Sequence, residues 1–474
     1  MTEQKPRWAA FWAAWVGWVL DAFDFTIYIV VAQKLIQEFG VSPTAIGGSL
    51  TLTLLVRLAG GFFAGWMADR WGRRLPLMMS LVWFAAFDAA IYFAPSFTWI
   101  IVFRTLFGFG MGAEWTAGTS LAMESFPAKS RKLASGLLQA GWPVGFLLAA
   151  TVAHFVVPAF GWRPMFLIAA VPAVLVIPIR MFVPDDHAAE GEKVEVSKGA
   201  LQDLLDPRVF KMLVLGSLVM ALGFIVYYGM VTSHMGIHFE IAKCGKDAKC
   251  LAATYNHGWN NQIIFNVGML VGVVIAGWIA NRFNVIAALV VPALAMVPAL
   301  PLFVGMSPSS MWIGAFLGGM LGVGYSGVTP VLTTSLFPAH VRARAIGIVY
   351  HCGAFIAAFV PTMIPWIVKT ARISLANTVM IVVGIGLVLM SSAVLVLRGY
   401  LTTPASEHQP SRDQLTPSDP PAVTEVVVEP PALDRQPPSA ADQPRDAARE
   451  MHPVATAIVD REVARAAERR ALRN

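Results

Sequence analysis

The chain has 474 residues, of which 56% are hydrophobic and 14% are charged, with a formal net charge of +6 and a mean hydropathy of +0.62. Soluble domains carry about 25% charged residues, so this composition excludes an ordinary water-soluble fold and indicates that lipid covers most of the surface. Cys244, Cys250 and Cys352 match neither a disulfide framework nor a metal-binding pattern. We therefore expect a polytopic membrane protein without a metal site.

The first apolar run follows two basic residues, Lys5 and Arg7, as it would in a signal peptide. It extends for about 20 residues, however, and no small-residue cleavage site follows it. It also contains two acidic residues, Asp21 and Asp24. We interpret this run as a retained first membrane span.

Apolar stretches long enough to cross a bilayer recur along the whole chain. Breaks at proline, glycine and charge clusters delimit twelve of them: residues 11–33, 44–68, 75–94, 98–122, 132–157, 162–183, 209–236, 258–281, 285–306, 311–335, 343–367 and 374–398. The pattern predicts an all-α membrane protein with 12 transmembrane helices in two pseudo-symmetric six-helix bundles.

Charged and proline-rich segments divide the chain into four predicted regions. They are an N-terminal six-helix bundle over 1–183, a cytoplasmic central loop over 184–208, a C-terminal six-helix bundle over 209–400 and a disordered cytoplasmic tail over 401–474. The end of the tail could instead form a short regulatory helix. If the N-terminus is inside, the inside loops carry more lysine and arginine than the outside loops, which places both termini in the cytoplasm of a multi-pass inner-membrane protein.

Two segments occur twice at nearly the same spacing. The stretch AGWMADR at 64–70 returns as AGWIANR at 276–282, and FPAKSRKLASG at 126–136 returns as FPAHVRARAIG at 337–347. Each pair falls on equivalent inside loops of the two bundles. The chain is therefore a duplicated six-span unit, and two such halves are expected to enclose a central path with a binding site near the membrane midplane.

The first repeated segment belongs to a longer motif, GWMADRWGRR at 65–74, and Arg104 is followed by three glycines at 108, 110 and 112. Both features resemble signatures of the major facilitator superfamily, and the resemblance covers roughly residues 10 to 400. It implies a set of seven residues that either form a latch, which opens and closes during the transport cycle, or simply anchor the loops. These residues are Gly65, Asp69, Arg70, Gly72, Arg73, Arg74 and Arg104.

Ionisable residues inside the spans are costly unless they face a cavity and have partners. Helix rise places Arg57 at about the depth of Asp21, and Arg104 at about the depth of Asp24. Asp21 and Asp24 are three residues apart and share one helix face. Burial favours a neutral carboxyl group and a nearby arginine favours a charged one, so these acids could load and release a proton. The alternative is a static Asp–Arg brace.

Other polar residues in the spans complete the candidate site. Asp88 and Glu114 are further candidates for proton coupling. Arg57 is the main candidate for binding a carboxylate, because a guanidinium offers two parallel hydrogen bonds, although a purely structural ion pair is the alternative. The remaining candidate ligands are Gln139, His234, Tyr325, Tyr350 and His351. Gln139 and Tyr350 occupy equivalent positions in the two repeats, whereas a lone histidine is more often simply packed.

Three stretches indicate which branch of the superfamily the chain resembles. They are DAFD in the first span, GAEWTAGTSLAMESFPAKSRKLASGLLQAG at 112–141 and GWRPMF at 161–166. They resemble the branch of carboxylate and proton symporters that includes sialate and lactate permeases. In that branch, a second-span arginine and a seventh-span Ser-His pair are associated with carboxylate recognition. Cys244 and Cys250 lie in an outside loop, where a disulfide between them is plausible.

The resemblance implies a secondary active transporter that imports a small organic anion with protons by alternating access, with a monocarboxylate such as lactate or pyruvate as the expected cargo. Alternatives are a symporter for sialate, aromatic acids or another larger organic acid, or an exporter of drugs or metabolites. A sensor that signals through its tail is a further class. An enzyme is not expected, because no nucleophile–base set, metal cluster or phosphate-binding loop is present. We predict no cofactor and no nucleic-acid partner, a monomeric state, and contact with the lipid bilayer.

Overall fold

The computed structural model describes residues 8–71, 74–127, 129–171, 204–245, 247–305, 310–338 and 341–401. These residues form helices and short connections, with no strand among them. Ten of the helices in this part of the chain are long and apolar enough to cross a membrane, and a shorter apolar helix covers Phe97–Gly112. Many large apolar side chains are exposed on the outer faces of these helices, as expected where lipid is the solvent.

The first six helices form the N-terminal half. They are α1 (Trp8–Phe39), α2 (Pro43–Trp71), α3 (Arg74–Tyr92), α4 (Phe97–Glu124), α5 (Arg131–Phe160, with a change of direction at Ala140) and α6, of which residues 164–171 are described. Of the predicted central loop over 184–208, residues 204–208 are described, and α7 already begins there at Pro207; residue 401 of the predicted tail is the last residue of α12. Residues 184–203 and 402–474 lie outside the described residues.

The other six helices form the C-terminal half. They are α7 (Pro207–Ala242), α8 (Ala248–Arg282), α9 (Val285–Phe303), α10 (Met311–Leu336), α11 (Arg342–Ala371) and α12 (Leu375–Leu401). The helix α10 is irregular, because a π-helical segment over Gly318–Val323 and a 3-10 segment over Gly324–Val328 interrupt it. The helix α11 is interrupted between Ala357 and Val360.

Short polar side chains cap several helices of the C-terminal half. Asp206 accepts hydrogen bonds from the backbone N–H groups at the start of α7, where Pro207 occupies the first position. Asp247 and Asn284 do the same for α8 and α9. Such caps satisfy donors that a helix start leaves without an intrahelical partner. They explain why these helices begin where the sequence changes from polar to apolar.

The two halves meet along two separate seams, one between α2 and α11 and one between α5 and α8. In the first seam, the Thr51 hydroxyl donates to the Ala358 carbonyl over 2.8 Å. In the second, Gly136 and Gly277 let the helix backbones touch, since a Cβ atom at Gly136 would lie 2.6 Å from the Val273 carbonyl oxygen and 3.3 Å from the Gly277 Cα. The repeated motifs therefore supply contacts between the halves.

Candidate substrate-binding cavity

A cavity lies between the two halves, and both halves line it. The space among its side chains, counted with its opening, is about 520 Å³. Its lining residues are Trp18, Arg57, Gln139, Trp142, Met220, Phe224, Tyr227, Tyr228, Met269, Val323, Tyr325, Ser326, Thr329 and Tyr350. Seven of these are aromatic and a single one, Arg57, is charged, so among the described residues the cavity is an aromatic chamber with one cationic group.

Arg57 projects into the cavity from the middle of α2 and is 1% exposed. Its Nη2 lies 3.5 Å from Oδ2 of Asp21 on α1. Its Cζ also lies 5.1 Å from the ring centre of Tyr350 on α11, within the range of a cation–π contact. The guanidinium thus has a carboxylate from its own half on one side and an aromatic ring from the other half on another.

The aromatic side chains form a continuous cluster across the boundary between the halves. Tyr350 stacks on Trp115 of α4 with ring centres 4.1 Å apart. Trp18 packs against Trp142 at 4.8 Å, and the Trp142 Nε1–H donates a hydrogen bond of 2.8 Å to the hydroxyl of Tyr227. Flat, rigid walls of this kind can stack on a planar molecule, because stacking adds to the gain from burial.

Gln139 lines another part of the wall, at the point where α5 approaches α10. Its Nε2 donates to the Thr329 hydroxyl over 3.4 Å, and that hydroxyl donates to the Ser326 carbonyl over 2.8 Å. One helical turn earlier, the Ser135 hydroxyl donates to the Gly327 carbonyl and accepts from the Val331 N–H. These bonds join α5 of one half to α10 of the other.

A second charged cluster lies inside the N-terminal half and does not line the cavity. Arg104 on α4 has its Nη1 3.4 Å from Oδ1 of Asp88 on α3 and 3.3 Å from the backbone oxygen of Asp24 on α1. Its Cζ also lies 4.3 Å from the ring centre of Phe107. All three charged side chains are at most 1% exposed. Both carboxyl oxygens of Asp24 lack a hydrogen-bond partner among the described residues.

Comparisons with known proteins bear on the family and the fold of this chain. Residues 14–245 match the family model described as Major Facilitator Superfamily. The cis,cis-muconate transport protein of Acinetobacter baylyi is 27% identical over 78% of this chain and 90% of its own length. The sialic acid transporter NanX of Escherichia coli is 25% identical over 74% and 84%. The solved proton:xylose symporter XylE covers 83% of this chain and 95% of its own, with 18% identity and a TM-score of 0.67, which shows the fold.

The chain belongs to the major facilitator superfamily. The prediction of an all-α membrane protein with 12 transmembrane helices in two six-helix bundles is therefore confirmed. The prediction that it is not an enzyme is confirmed as well, because the family and the curated relatives are transporters. It is a multi-pass membrane transporter.

The structure separates the ligand residues proposed from the sequence into two groups. Arg57, Gln139, Tyr325 and Tyr350 line the cavity of the transporter. His234 and His351 are buried but are not among the lining residues.

His234 lies nearer the C-terminal end of α7, where its Nε2 is 3.4 Å from that of His238 and its ring packs on Phe303. His238 in turn lies 3.1 Å from the side-chain nitrogen of Asn261 on α8. His351 is one residue beyond Tyr350, so its ring turns towards α2 and packs against the backbone at Gly61. Helix periodicity thus directs both imidazoles away from the chamber.

The two aspartates of α1 also have different environments. Asp21 borders the chamber only through Arg57, whereas Asp24 faces the cluster around Arg104. The depth estimate aligned Arg104 with Asp24, but the carboxylate that approaches Arg104 is that of Asp88. The reason is that α3 and α4 pack closely, which brings their buried faces into register.

The remaining predicted positions cannot be placed at the level of side chains. Gly72 and Arg73 lie outside the described residues, and for Gly65, Asp69, Arg70, Arg74 and Glu114 the backbone is helical but the side chains are not described. Cys244, in the connection between α7 and α8, forms a disulfide bond with Cys250 in the first turn of α8.

Sequence reasoning did not single out the tryptophans of the chamber or its polar residues on α10. Trp18 precedes Asp21 by three positions, so helix periodicity already placed it near the acidic face of α1. Trp142 follows Gln139 by three positions in the same way. Ser326 lies in the 3-10 segment of α10 and Thr329 directly follows it, so regular helix periodicity along α10 did not predict where their side chains point.

Proposed function

We propose that this protein imports a flat organic acid, aromatic or conjugated, together with protons. The observation that carries the proposal is the position of Arg57, a buried guanidinium in a chamber whose other walls are mainly aromatic. A guanidinium pairs with a carboxylate through two parallel hydrogen bonds and stays charged. Aromatic rings on both sides of such a group favour a planar cargo over a compact aliphatic one.

The relatives support an organic anion as cargo. Their names give cis,cis-muconate and sialic acid as the molecules that two of them carry. Lactate and pyruvate, the cargo first expected from the sequence, are small acids without an extended flat surface. They could satisfy Arg57 but would leave most of the aromatic wall without contacts, so the chamber favours the alternative of an aromatic or larger acid.

Proton coupling is supported by the balance of buried charge. The described residues contain three fully buried aspartates and two fully buried arginines. Asp21 lies against Arg57 and Asp88 against Arg104, which leaves Asp24 as the surplus acid. An isolated ionised carboxylate is costly in this environment, and one bound proton balances the cluster. Asp24 is therefore the proposed proton carrier, in a half that also holds the cargo's arginine.

The cargo and the proton would act in sequence. In this proposal, proton binding at Asp24 precedes cargo binding, the carboxylate replaces Asp21 at Arg57, and rocking of the halves exposes both to the other side. We further propose an inner-membrane location with both termini in the cytoplasm, based on the distribution of basic loop residues. We propose that the protein works as a monomer.

Uptake by the full-length protein in proteoliposomes tests this function. Labelled benzoate, cis,cis-muconate, sialate, lactate and pyruvate would be presented with an imposed inward proton gradient, and again after a protonophore has removed it. Saturable accumulation of a flat acid that collapses with the gradient is expected. Accumulation of lactate or pyruvate alone would contradict the flat-acid cargo, and uptake that ignores the gradient would contradict coupling. Net efflux of the acid under the same gradient would contradict import and indicate an exporter.

A further inference from the structure

The wall of the chamber contains buried polar atoms that no hydrogen bond from the described part of the chain satisfies. The side-chain oxygen of Gln139 and the hydroxyl oxygen of Ser326 are both buried and have no hydrogen-bond partner among the described residues. Both residues line the chamber, and Gln139 is 5% exposed. Buried polar atoms in native structures usually have partners, so two orphan oxygens in one wall indicate a ligand group that completes them.

The hydrogen-bond network fixes which way the Gln139 amide points. The Thr329 hydroxyl uses its proton to bond the Ser326 carbonyl, so towards Gln139 it acts as an acceptor. The Gln139 NH2 group must therefore face Thr329, as observed at 3.4 Å. The opposite orientation would set two acceptors against each other. The remaining Gln139 Oε1 is an acceptor that calls for a donor.

The neighbouring Ser135 hydroxyl cannot donate a hydrogen bond to Gln139 Oε1 or to a bound ligand. It donates to the Gly327 carbonyl over 2.8 Å and accepts from the Val331 N–H over 3.2 Å, so its single proton is committed. Ser326, by contrast, has a hydroxyl that can turn to accept or to donate. Gln139 and Ser326 thus form a small polar patch in a wall that is otherwise mainly aromatic.

This patch and Arg57 reach the chamber from different sides. Arg57 lies on α2, which packs against α11, whereas Gln139 lies on α5, which packs against α8 and α10. The helices α2 and α5 form no extended contact among the described residues. A single flat molecule could therefore touch both polar sites with opposite ends while its ring contacts the aromatic walls.

We propose that Gln139 and Ser326 form a second subsite, which selects organic acids carrying a hydroxyl group remote from the carboxylate. The inference rests on the proposed function, because it takes the carboxylate to be held at Arg57. The hydroxyl of the cargo donates to Gln139 Oε1 and exchanges hydrogen bonds with Ser326. A second carboxylate at this place can accept from the Ser326 hydroxyl but sets acceptor against acceptor at Gln139 Oε1, so a hydroxyl group fits the subsite better than a second carboxylate.

Equilibrium binding to the purified full-length protein tests the subsite with matched compounds. Benzoate, 3-hydroxybenzoate, 4-hydroxybenzoate and terephthalate would be titrated by calorimetry at one pH. Because an unsatisfied buried acceptor costs about 1–3 kcal/mol, the better hydroxybenzoate should bind roughly 5- to 150-fold more tightly than benzoate. Terephthalate should bind no better than benzoate.

Two variants test whether Gln139 causes the preference for a hydroxybenzoate over benzoate. Gln139→Leu removes the acceptor and should bring the preference for the hydroxybenzoate over benzoate to within about threefold. Gln262→Leu is the matched control, because Gln262 is also buried but lies on α8 and does not line the chamber. It should leave the preference unchanged. If Gln139→Leu does not fold, the comparison of compounds on the unaltered protein still decides the question.

The outcomes separate the subsite from the proposed function. Equal affinity for benzoate and both hydroxybenzoates would refute the subsite and leave the flat-acid function standing. Terephthalate binding as tight as that of the better hydroxybenzoate would overturn the assignment of an acceptor. Absence of binding by all four acids, in a protein that accumulates lactate or pyruvate, would refute the proposed cargo class together with the subsite.

Discussion

The contact between α5 and α8 at Gly136 provides a direct test of how the halves move. A methyl group at Gly136 would lie 2.6 Å from the Val273 carbonyl oxygen and 3.3 Å from the Gly277 Cα. Both neighbours are backbone atoms, so no side chain can turn aside to make room. The substitution Gly136→Ala therefore forces the two helices apart in the state described above, and it leaves a state with this seam open undisturbed.

The size of the effect follows from this geometry. Overpacking a close contact costs about 1–3 kcal/mol, which is roughly a 5- to 150-fold shift in a two-state equilibrium. Alanine also stabilises a helix by about 1 kcal/mol relative to glycine, but this gain applies to both states and leaves their ratio unchanged. We expect Gly136→Ala to favour the state with α5 and α8 separated, and to slow uptake because the return step becomes unfavourable.

Pulsed electron paramagnetic resonance measures the separation directly. Spin labels on Lys129→Cys and Arg282→Cys would report the distance between the ends of α5 and α8, in a background with Cys352 replaced by serine. The control is Gly48→Ala on α2, where a new Cβ meets nothing within 4 Å. A longer distance and slower uptake are expected for Gly136→Ala alone. An unchanged distance distribution would refute the view that this glycine contact closes the seam.

Three further predictions concern the buried charges. Arg57→Lys should reduce uptake at least tenfold because an ammonium cannot form the two parallel bonds to a carboxylate; near-normal uptake would remove Arg57 as a ligand. Asp24→Asn should abolish accumulation driven by a proton gradient while exchange of labelled cargo continues, and equal loss of both would indicate a structural brace. Asp88→Asn should lower the free energy of unfolding by about 3–5 kcal/mol because it leaves Arg104 without its carboxylate, and unchanged thermal unfolding would contradict that pairing.

Some features of this protein were accessible from the sequence because a single physical rule determines them. Membrane thickness sets the length of an apolar span, so the helices could be delimited without a structure. Depth along a helix also placed Arg57 near Asp21, since both are counted from known ends. The duplication predicted two related halves around a central path, and residues of both halves line the cavity.

Other features depend on packing that a linear pattern does not contain. The approach of Asp88 to Arg104 requires the relative rotation and register of α3 and α4, which neither helix specifies alone. Trp18 and Trp142 carry no sequence signal that separates them from the tryptophans expected at membrane surfaces. The polar residues of α10 follow a local departure from α-helical geometry, which side-chain periodicity cannot anticipate.

The stacking of Tyr350 against Trp115 has a consequence for how ligand binding is coupled to the conformational change of the transporter. Tyr350 belongs to the second repeat, and both Trp115 and Arg57 belong to the first. A ligand that draws the guanidinium away from its resting place must also disturb the ring that bridges the repeats. Binding at Arg57 and loosening of the contact between the repeats are then coupled. A molecule that fills the chamber without contacting Arg57 would therefore bind as an inhibitor that is not transported.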